Sequence, residues 1–309
     1  KIKFPDGNIK EYEKGTSLRD IAASISPSLN KSCVVGKVNG EFYDMTMPIN
    51  VDADIVLLTD KNGSDFFEVL NHSAAHILAQ AVKNLFPNAK FGVGPAIEEG
   101  FYYDIDADNE IKEEDIKKIE KEMMRISSGA FDFSSNVISY EEAKELFKSD
   151  EYKLFLIEKI NSKGEQISIY TQGNFTDLCR GGHIPNTGII KAVKIMNVAG
   201  AYWRGDETRK QLTRIYGITF PKSSELTEYL EKLEMAKARD HRKLGKEMDL
   251  FTFSQRVGQG LPLWLPKGAA LRERLENFLK KAQKRSGYDQ VITPHIGSKE
   301  LYVCSGHYA

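Results

Sequence analysis

Apolar positions over the first sixty residues come in short runs separated by turn signals, a pattern that predicts strands rather than helices. Strands are expected at residues 2–4, 33–38 and 54–58, with turns at Pro5-Asp6-Gly7 and Asn39-Gly40 and one short helix starting at Ser17. Near Ser64 the period changes. Leu70, Ala74, Ile77, Leu78, Ala81, Val82 and Leu85 recur at helical spacing, predicting a helix over 66–86 that Pro87 ends. His72 and His76 fall on the face opposite that stripe, together with Lys83. A strand at 100–106 follows, then a helix with Ile111, Ile116, Ile119, Met123 and Ile126 inward, stopped by Gly129. Helices at 140–148 and 152–160 and a strand at 166–171 lead to a polar, glycine-containing loop or helix entry at 174–183. A strand at 192–198 precedes the end of this region near Pro221.

Beyond Pro221, Ser223 or Ser224 is placed to cap a helix reaching about Leu244, with Leu226, Leu230 and Leu233 on one side and mixed charge elsewhere. From Glu247 a loop rich in glycine and proline leads into a helix whose stripe, Leu271, Leu275, Phe278, Leu279 and Ala282, is expected to be buried in the larger unit, with Leu271, Leu275 or Phe278 exposed where the remainder of that unit is absent. Gly287 fits its C′ position, and a strand at 290–294 follows. The pattern describes an α+β, multidomain chain in four segments: a small β-rich module at 1–62, an α+β domain at 63–222, a helical linker at 223–245, and part of a larger unit at 246–309.

Composition narrows the classes. The chain has 309 residues, 41% hydrophobic and 28% charged, as expected of two or three globular domains. A net charge of −1 means that any RNA contact must come from local basic patches. Three widely spaced cysteines argue for reduced thiols in a cytoplasmic protein. No apolar run approaches a membrane span, and a signal peptide's apolar segment is not seen at the N-terminus.

Chemistry concentrates in two words, H-S-A-A-H at His72 and His76 and C-R-G-G-H at Cys179 and His183. Spacing of i, i+4 puts two side chains on one helical face. A zinc protease needs H-E-x-x-H, and position 73 is Ser, so that mechanism lacks its general base. The four residues suit a tetrahedral zinc site, a Cys–His nucleophilic pair, or metal-free hydrolysis by a positioned water. The pattern alone does not rank them.

The order of the words resembles the threonyl-tRNA synthetase family over nearly the whole chain. F-P-D-G at Phe4 with V-V-G-K-V-N-G at Val34 looks like a TGS domain of the β-grasp type. H-S-A-A-H, then F-G-V-G-P-A-I-E-E-G-F-Y-Y-D from Phe91, then D-L-C-R-G-G-H, looks like the editing domain. G-A-Y-W-R-G-D from Gly200 and L-T-R-I-Y-G from Leu212 resemble its end. R-D-H-R-K-L-G-K-E-M-D-L-F from Arg239 looks like the entry to a class II antiparallel-sheet catalytic domain, and the helix and strand ending at Pro294 resemble its motif 1, which lies at a dimer interface. Alanyl-tRNA synthetase shares the editing words but not this start or this linker.

The resemblance implies that the parent enzyme joins threonine to its tRNA with ATP and magnesium, holds a zinc ion in its catalytic domain, and dimerises. Serine lacks one methyl group, a difference of about 1–3 kcal/mol in binding, so mischarged seryl-tRNA must be hydrolysed at a second site. Carried over by position, His72, His76, Lys153, Asp177, Cys179 and His183 are the catalytic set, with Tyr103 and Asp104 flanking the cleft as substrate-binding residues. His72 is expected to position or deprotonate the water, Lys153 to stabilise developing charge, Asp177 and His183 to hold the amino group or ribose, and Cys179 to shape the pocket. No metal is expected in the editing pocket. Lys191, Lys194, Arg204, Arg209, Lys210 and Arg214, interleaved with Tyr202 and Trp203, are expected to contact the tRNA acceptor end. Gly182 departs from the family, which often has Pro there, and makes the loop more flexible. Cys304 and His307 are read as ordinary polar positions, and ligase activity is not expected because motifs 2 and 3 are absent. Two rivals remain: a freestanding trans-editing deacylase, and an RNA-binding regulatory module with a vestigial pocket.

Overall fold

The computed structural model describes residues 1–107 and 111–308; Ala309, the last residue of the fourth segment, lies outside the described residues. The chain divides into two compact units, 1–229 and 230–309.

The first unit opens with β1 (Ile2–Lys3), β2 (Ile9–Lys10), β3 (Thr16–Ser17), α1 (Leu18–Ile25), α2 (Pro27–Ser32), β4 (Cys33–Val38), β5 (Glu41–Tyr43), β6 (Pro48–Ile49) and β7 (Ala53–Thr59). Five of these strands form a mixed sheet in the order β2-β1-β7-β4-β5, with β1 and β7 parallel. α1 starts at Ser17 as expected, and the structure shows why: Ser17 and Asp20 form a capping box. The helix buries Leu18, Ile21 and Ala22 on the sheet. α2 was not expected; Ser26 caps it and Pro27 occupies its first turn.

The rest of the unit is built on α3 (Gly63–Leu85), followed by β8 (Lys90–Phe91), β9 (Ala96–Ile97), β10 (Gly100–Asp106), α4 (Glu113–Ser128), β11 (Phe133–Ile138), α5 (Tyr140–Leu146), α6 (Glu151–Ser162), β12 (Ile167–Gln172), β13 (Phe175–Leu178), β14 (Ala192–Tyr202) and β15 (Gln211–Phe220). α3 and α4 lie against a sheet of order β14-β15-β10-β8, with β9 paired to β10. α3 is apolar enough to be buried almost all round from Val69 to Val82, so the histidine face is an interior face rather than a surface one. A second sheet, β11-β12-β13, shares a small core with α5 and α6 through Ala143, Phe147, Ile157, Ile167 and Ile169.

Several expectations are corrected here. The loop or helix entry at 174–183 is strand β13 and a turn, because Phe175 and Asp177 alternate inward while pairing with β12. β14 extends through Gly200-Ala-Tyr and pairs with β15, a strand not anticipated because Arg214 and Gly217 interrupt its apolar pattern. Gly129 does cap α4, but with right-handed backbone; the left-handed residue is Ala130, at φ 48°. Gly129 is required instead by space, since a Cβ there would sit 2.5 Å from the Phe131 ring.

The boundary between the units falls inside α7 (Ser223–Ala238). The expected single helix to Leu244 is two, because Asp240 accepts from the Arg242 N–H and starts α8 (His241–Glu247). Next come a small hairpin of β16 (Phe251–Thr252) and β17 (Leu263–Trp264), then α9 (Pro266–Arg285) and α10 (Lys299–Cys304). Gly287 takes the left-handed conformation expected of a C′ residue, at φ 82°. The stripe of α9 is not buried: Leu271, Leu275, Phe278 and Leu279 are exposed. Residues 290–294 form no strand, since nothing among the described residues pairs with them, and Ile292 is 92% exposed. No helix is long and apolar enough to cross a membrane among the described residues.

Candidate functional site

Two words far apart in sequence meet where α3 passes the end of β13. His72 and His76 come from successive turns of α3, and Cys179 and His183 bracket the turn after β13. One donor atom from each of the four lies within 4.8 Å of the others. His72 Nε2 and Cys179 Sγ are 3.1 Å apart, and Cys179 Sγ and His183 Nε2 are 3.2 Å apart. The His183 ring is sandwiched between Phe133 and His72, at centroid distances of 4.7 and 4.6 Å. This cluster closes one end of a cavity of about 460 Å³, whose walls include Gly92–Pro95, Tyr103, Lys153, Asp177 and Cys179.

The polar wall is a buried knot. Asp150 accepts from the Tyr152 and Lys153 N–H groups and so starts α6; its second oxygen accepts from the Phe91 N–H. α6 thereby delivers Lys153, which is buried and ion-paired with Asp177. Lys153 Nζ also donates to the Tyr103 hydroxyl at 2.9 Å and to the Gly92 carbonyl at 3.2 Å. The Tyr103 hydroxyl in turn donates to Asp177. Asp177 further accepts from the Leu178 N–H at 2.8 Å. An ammonium has three protons, and all three of Lys153 are engaged. The carboxylate of Asp177 keeps about one of its roughly four lone-pair sites free of the bonds described.

Burial sets the charge states. It lowers His72 to about 4 and His76 to about 3, against a partial opposing pull from Asp177. His183, enclosed with two other imidazoles, lies well below the usual range. Burial pushes the Cys179 thiol up to about 12, and the Asp177 charge adds to it. Burial is the largest single influence on Asp177 and acts to raise it, but the Lys153 ammonium and the hydrogen bonds from Lys153 and Tyr103 act together against it, and the carboxyl lies below its usual value. Near neutral pH, without a bound ion, the cluster is three neutral imidazoles and a thiol beside a buried ion pair.

The directions of the hydrogen bonds follow. Ser73 Oγ donates to the Val69 carbonyl at 2.8 Å and accepts from the Ile184 N–H. Its single proton is thus used, so His183 Nδ1, 3.2 Å away, must be the donor to it. His183 Nε2 is then the acceptor of a hydrogen bond from the Cys179 thiol. His72 Nε2 donates to the sulfur, which leaves Nδ1 as the basic atom of His72. His76 Nδ1 is buried without a partner among the described residues.

The structure gathers His72, His76, Lys153, Asp177, Cys179, His183 and Tyr103. It does not bring Asp104 to the cavity. Alternation along β10 turns Asp104 to the other face, where Arg214 binds it bidentately at 2.6 and 2.9 Å. The six expected tRNA contacts are not one patch either. Lys191 and Lys194 sit at one end of the β14–β15 hairpin and Arg204, Arg209 and Lys210 at the other, about eight residues or roughly 26 Å apart. Four are ion-paired: Lys194 with Glu120, Arg209 with Asp206, Lys210 with Asp106 and Arg214 with Asp104. Arg204 lies over the Phe155 ring.

Sequence reasoning did not single out Phe133, and it quoted G-V-G-P only within a family word, without placing it in the wall of the site. Glycine is needed in that wall, since a Cβ on Gly94 would sit 2.3 Å from the Tyr103 ring. The two glycines around Val93 were a usable signal. The mouth was also missed: Lys159, Lys163 and Arg180 line it with Glu165, which pairs with Lys163 and Arg180, and the i, i+4 spacing of Lys159 and Lys163 on α6 and its C-cap was legible.

Two family descriptions match the chain: "TGS domain" over residues 1–59, and "Threonyl and Alanyl tRNA synthetase second additional domain" over 167–216. Over its full length the chain is 55% identical to the threonine--tRNA ligase of Flavobacterium psychrophilum and 52% identical to that of Geobacillus kaustophilus, and it spans 47% of each. It is 51% identical to threonine--tRNA ligase 1 of Bacillus subtilis, of which it spans 48%. The chain is homologous along its whole length to threonine--tRNA ligases, of which it spans about half, and it carries the TGS domain and the second additional (editing) domain of that family.

Proposed function

We propose that the cavity hydrolyses the ester of mischarged seryl-tRNA(Thr), as the editing part of a cytoplasmic enzyme that attaches threonine to tRNA(Thr) with ATP. The observation that carries this reading is the pairing of a neutral His72, basic at Nδ1, with a buried Lys153–Asp177–Tyr103 knot across one cavity. His72 takes the proton of a water that attacks the ester carbonyl. Lys153 supplies a fixed positive charge near the developing oxyanion, and shifting one of its three hydrogen bonds lets it approach. The spare acceptor site of Asp177 suits a substrate ammonium. Cys179 is a poor nucleophile here, because burial holds its proton on the sulfur. The acceptor end of the RNA enters past Lys159, Lys163 and Arg180. Residues 246–309 begin a class II catalytic domain through which the parent dimerises and in which it holds its own zinc.

Hydrolysis of seryl-tRNA measured beside threonyl-tRNA tests the reading. The seryl ester is expected to be lost selectively. His72→Ala should slow it at least about a hundredfold, the scale of general-base catalysis. Cys179→Ala should slow it less than about tenfold, the scale of one hydrogen bond. The reverse order would assign the chemistry to the thiol.

A second reading has an observation of its own. Four donors within 4.8 Å and the unpartnered His76 Nδ1 fit a metal ion such as zinc. His72, His76, Cys179 and His183 would hold it, and it would supply Lewis acidity and a more acidic water. Elemental analysis decides. The metal-free reading expects sub-stoichiometric metal and activity that survives chelation; one bound ion per chain, lost together with activity, overturns it.

A further inference from the structure

We infer that Asp44, a residue of the first module, is a positioning residue for the hydrolytic site: its carboxylate holds the Cys179–His183 turn in the shape that sets thiol and imidazole against His72. The inference rests on the hydrolytic reading above and adds a role for a part of the chain outside the editing words.

The turn has one weak bond of its own, from the Gly181 N–H to the Cys179 sulfur at 3.4 Å. It contains two adjacent glycines, Gly181 at φ 109° and Gly182 at φ 83°, a region that glycine enters and leaves freely. What fixes it comes from β5 and the turn after it. Asp44 Oδ1 accepts from the N–H of Gly182 at 3.1 Å and from the N–H of His183 at 2.7 Å. Asp44 is buried, so both bonds are shielded from water and each is costly to lose. Gly182 also lies against Phe42, so closely that a Cβ would be 2.7 Å from the Phe42 Cβ. On the other side, a Cβ at Gly181 would be 2.2 Å from the Tyr170 hydroxyl. The double glycine is thus wedged between the first module and β12.

Asp44 is itself anchored. The Met47 N–H donates to its carbonyl at 3.2 Å, and the Arg19 N–H donates to the Met45 carbonyl at 2.9 Å. The Met45 side chain sits in the core of the first module with Leu18 and Ile21. A continuous path therefore runs from the α1 core, through the Asp44 carboxylate, to the backbone of His183. At the far ends, Ser73 fixes the His183 ring and Ser168 binds the Cys179 backbone. The middle of the turn depends on Asp44.

The test uses the full natural chain with Asp44→Ala and Asp44→Asn. Asparagine keeps an Oδ1 acceptor and alanine does not. Misplacement of a catalytic group by about 1 Å costs up to about a hundredfold, so Asp44→Ala should lower kcat for seryl-tRNA about tenfold to a hundredfold, with KM changed less than about twofold. Asp44→Asn should restore most of kcat. An independent readout needs no turnover: alkylation of Cys179, followed by peptide mass, should quicken several-fold in Asp44→Ala and stay slow in Asp44→Asn. Buried Cys33 and exposed Cys304 serve as internal references. Unchanged kcat and unchanged alkylation in Asp44→Ala overturn the inference, as does equal loss in both variants together with a lowered melting temperature. Absence of hydrolysis in the wild-type protein overturns the hydrolytic reading instead, and the alkylation series then still decides whether Asp44 holds the turn.

Discussion

The proton arrangement of the site turns on the Val69 carbonyl, because accepting the Ser73 hydroxyl proton forces His183 to donate through Nδ1. Everything beyond follows from one proton per neutral imidazole and one per thiol. The same burial that keeps these rings neutral has a thermodynamic sign. In the ion-free protein the folded values lie below the usual 6.5, at about 4 for His72 and about 3 for His76. Unfolded chain therefore binds more protons as pH falls below 6.5, and folded stability, complete above 6.5, declines towards pH 4. His72 alone accounts for roughly 3 kcal/mol over that window. Asp177, held low, adds to the loss at still lower pH, while Asp44, raised by burial, opposes it. Urea unfolding of chelator-treated protein at pH 7 and pH 5 should show a marked drop that is smaller in His72→Ala. Equal stability at the two pH values would mean that the rings are not held neutral.

At the scale of elements, α6 shows how a site residue depends on a cap outside the site. Asp150 joins the start of α6 to β8 by accepting from Tyr152, Lys153 and Phe91. Replacing it by alanine removes an N-cap and leaves a half-buried N–H of β8 unpaired, a combined cost of roughly 2 kcal/mol. Asp150→Ala should lower the unfolding free energy by about that amount and reduce kcat, since Lys153 rides on the first turn. A stability loss without any change in kcat would show that the Asp177 ion pair alone suffices to place Lys153. Elements such as this one mark the limit of what periodicity reveals. The helices α3, α4 and α6 and the strands β4, β7 and β10 were legible, because each carries a strong apolar period or is bounded by proline, glycine or turn residues. β13 and β15 were not, because polar residues on one face of each are paid for by tertiary bonds such as Asp177 to Lys153 and Arg214 to Asp104. The histidine and cysteine words were legible as a cluster. Asp44 was not, because a single acid after a short strand gives no local hint of a partner 139 residues away.

On the scale of the whole molecule, the exposed stripe of α9 is the feature least at ease in a finished protein. Leu271, Leu275, Phe278 and Leu279 share one helical face and are all exposed, Phe278 at 69%. The i, i+3, i+4 spacing is that of a core face, yet nothing among the described residues covers it. The chain spans 47% of relatives such as the Flavobacterium psychrophilum ligase, so the remainder of such a protein is the natural cover. Left open, a contiguous apolar face of this kind drives self-association. The 309-residue chain on its own should therefore form concentration-dependent oligomers in sedimentation velocity, and Leu275→Arg with Phe278→Arg should return it to monomer. Those substitutions lie in the second unit, far in sequence from α3 and β13, so seryl-tRNA hydrolysis should be retained within about twofold, the effect of a surface change away from the site. A chain that stays monomeric at high concentration without them would show that the stripe is solvated and that α9 is not a core helix of a larger domain.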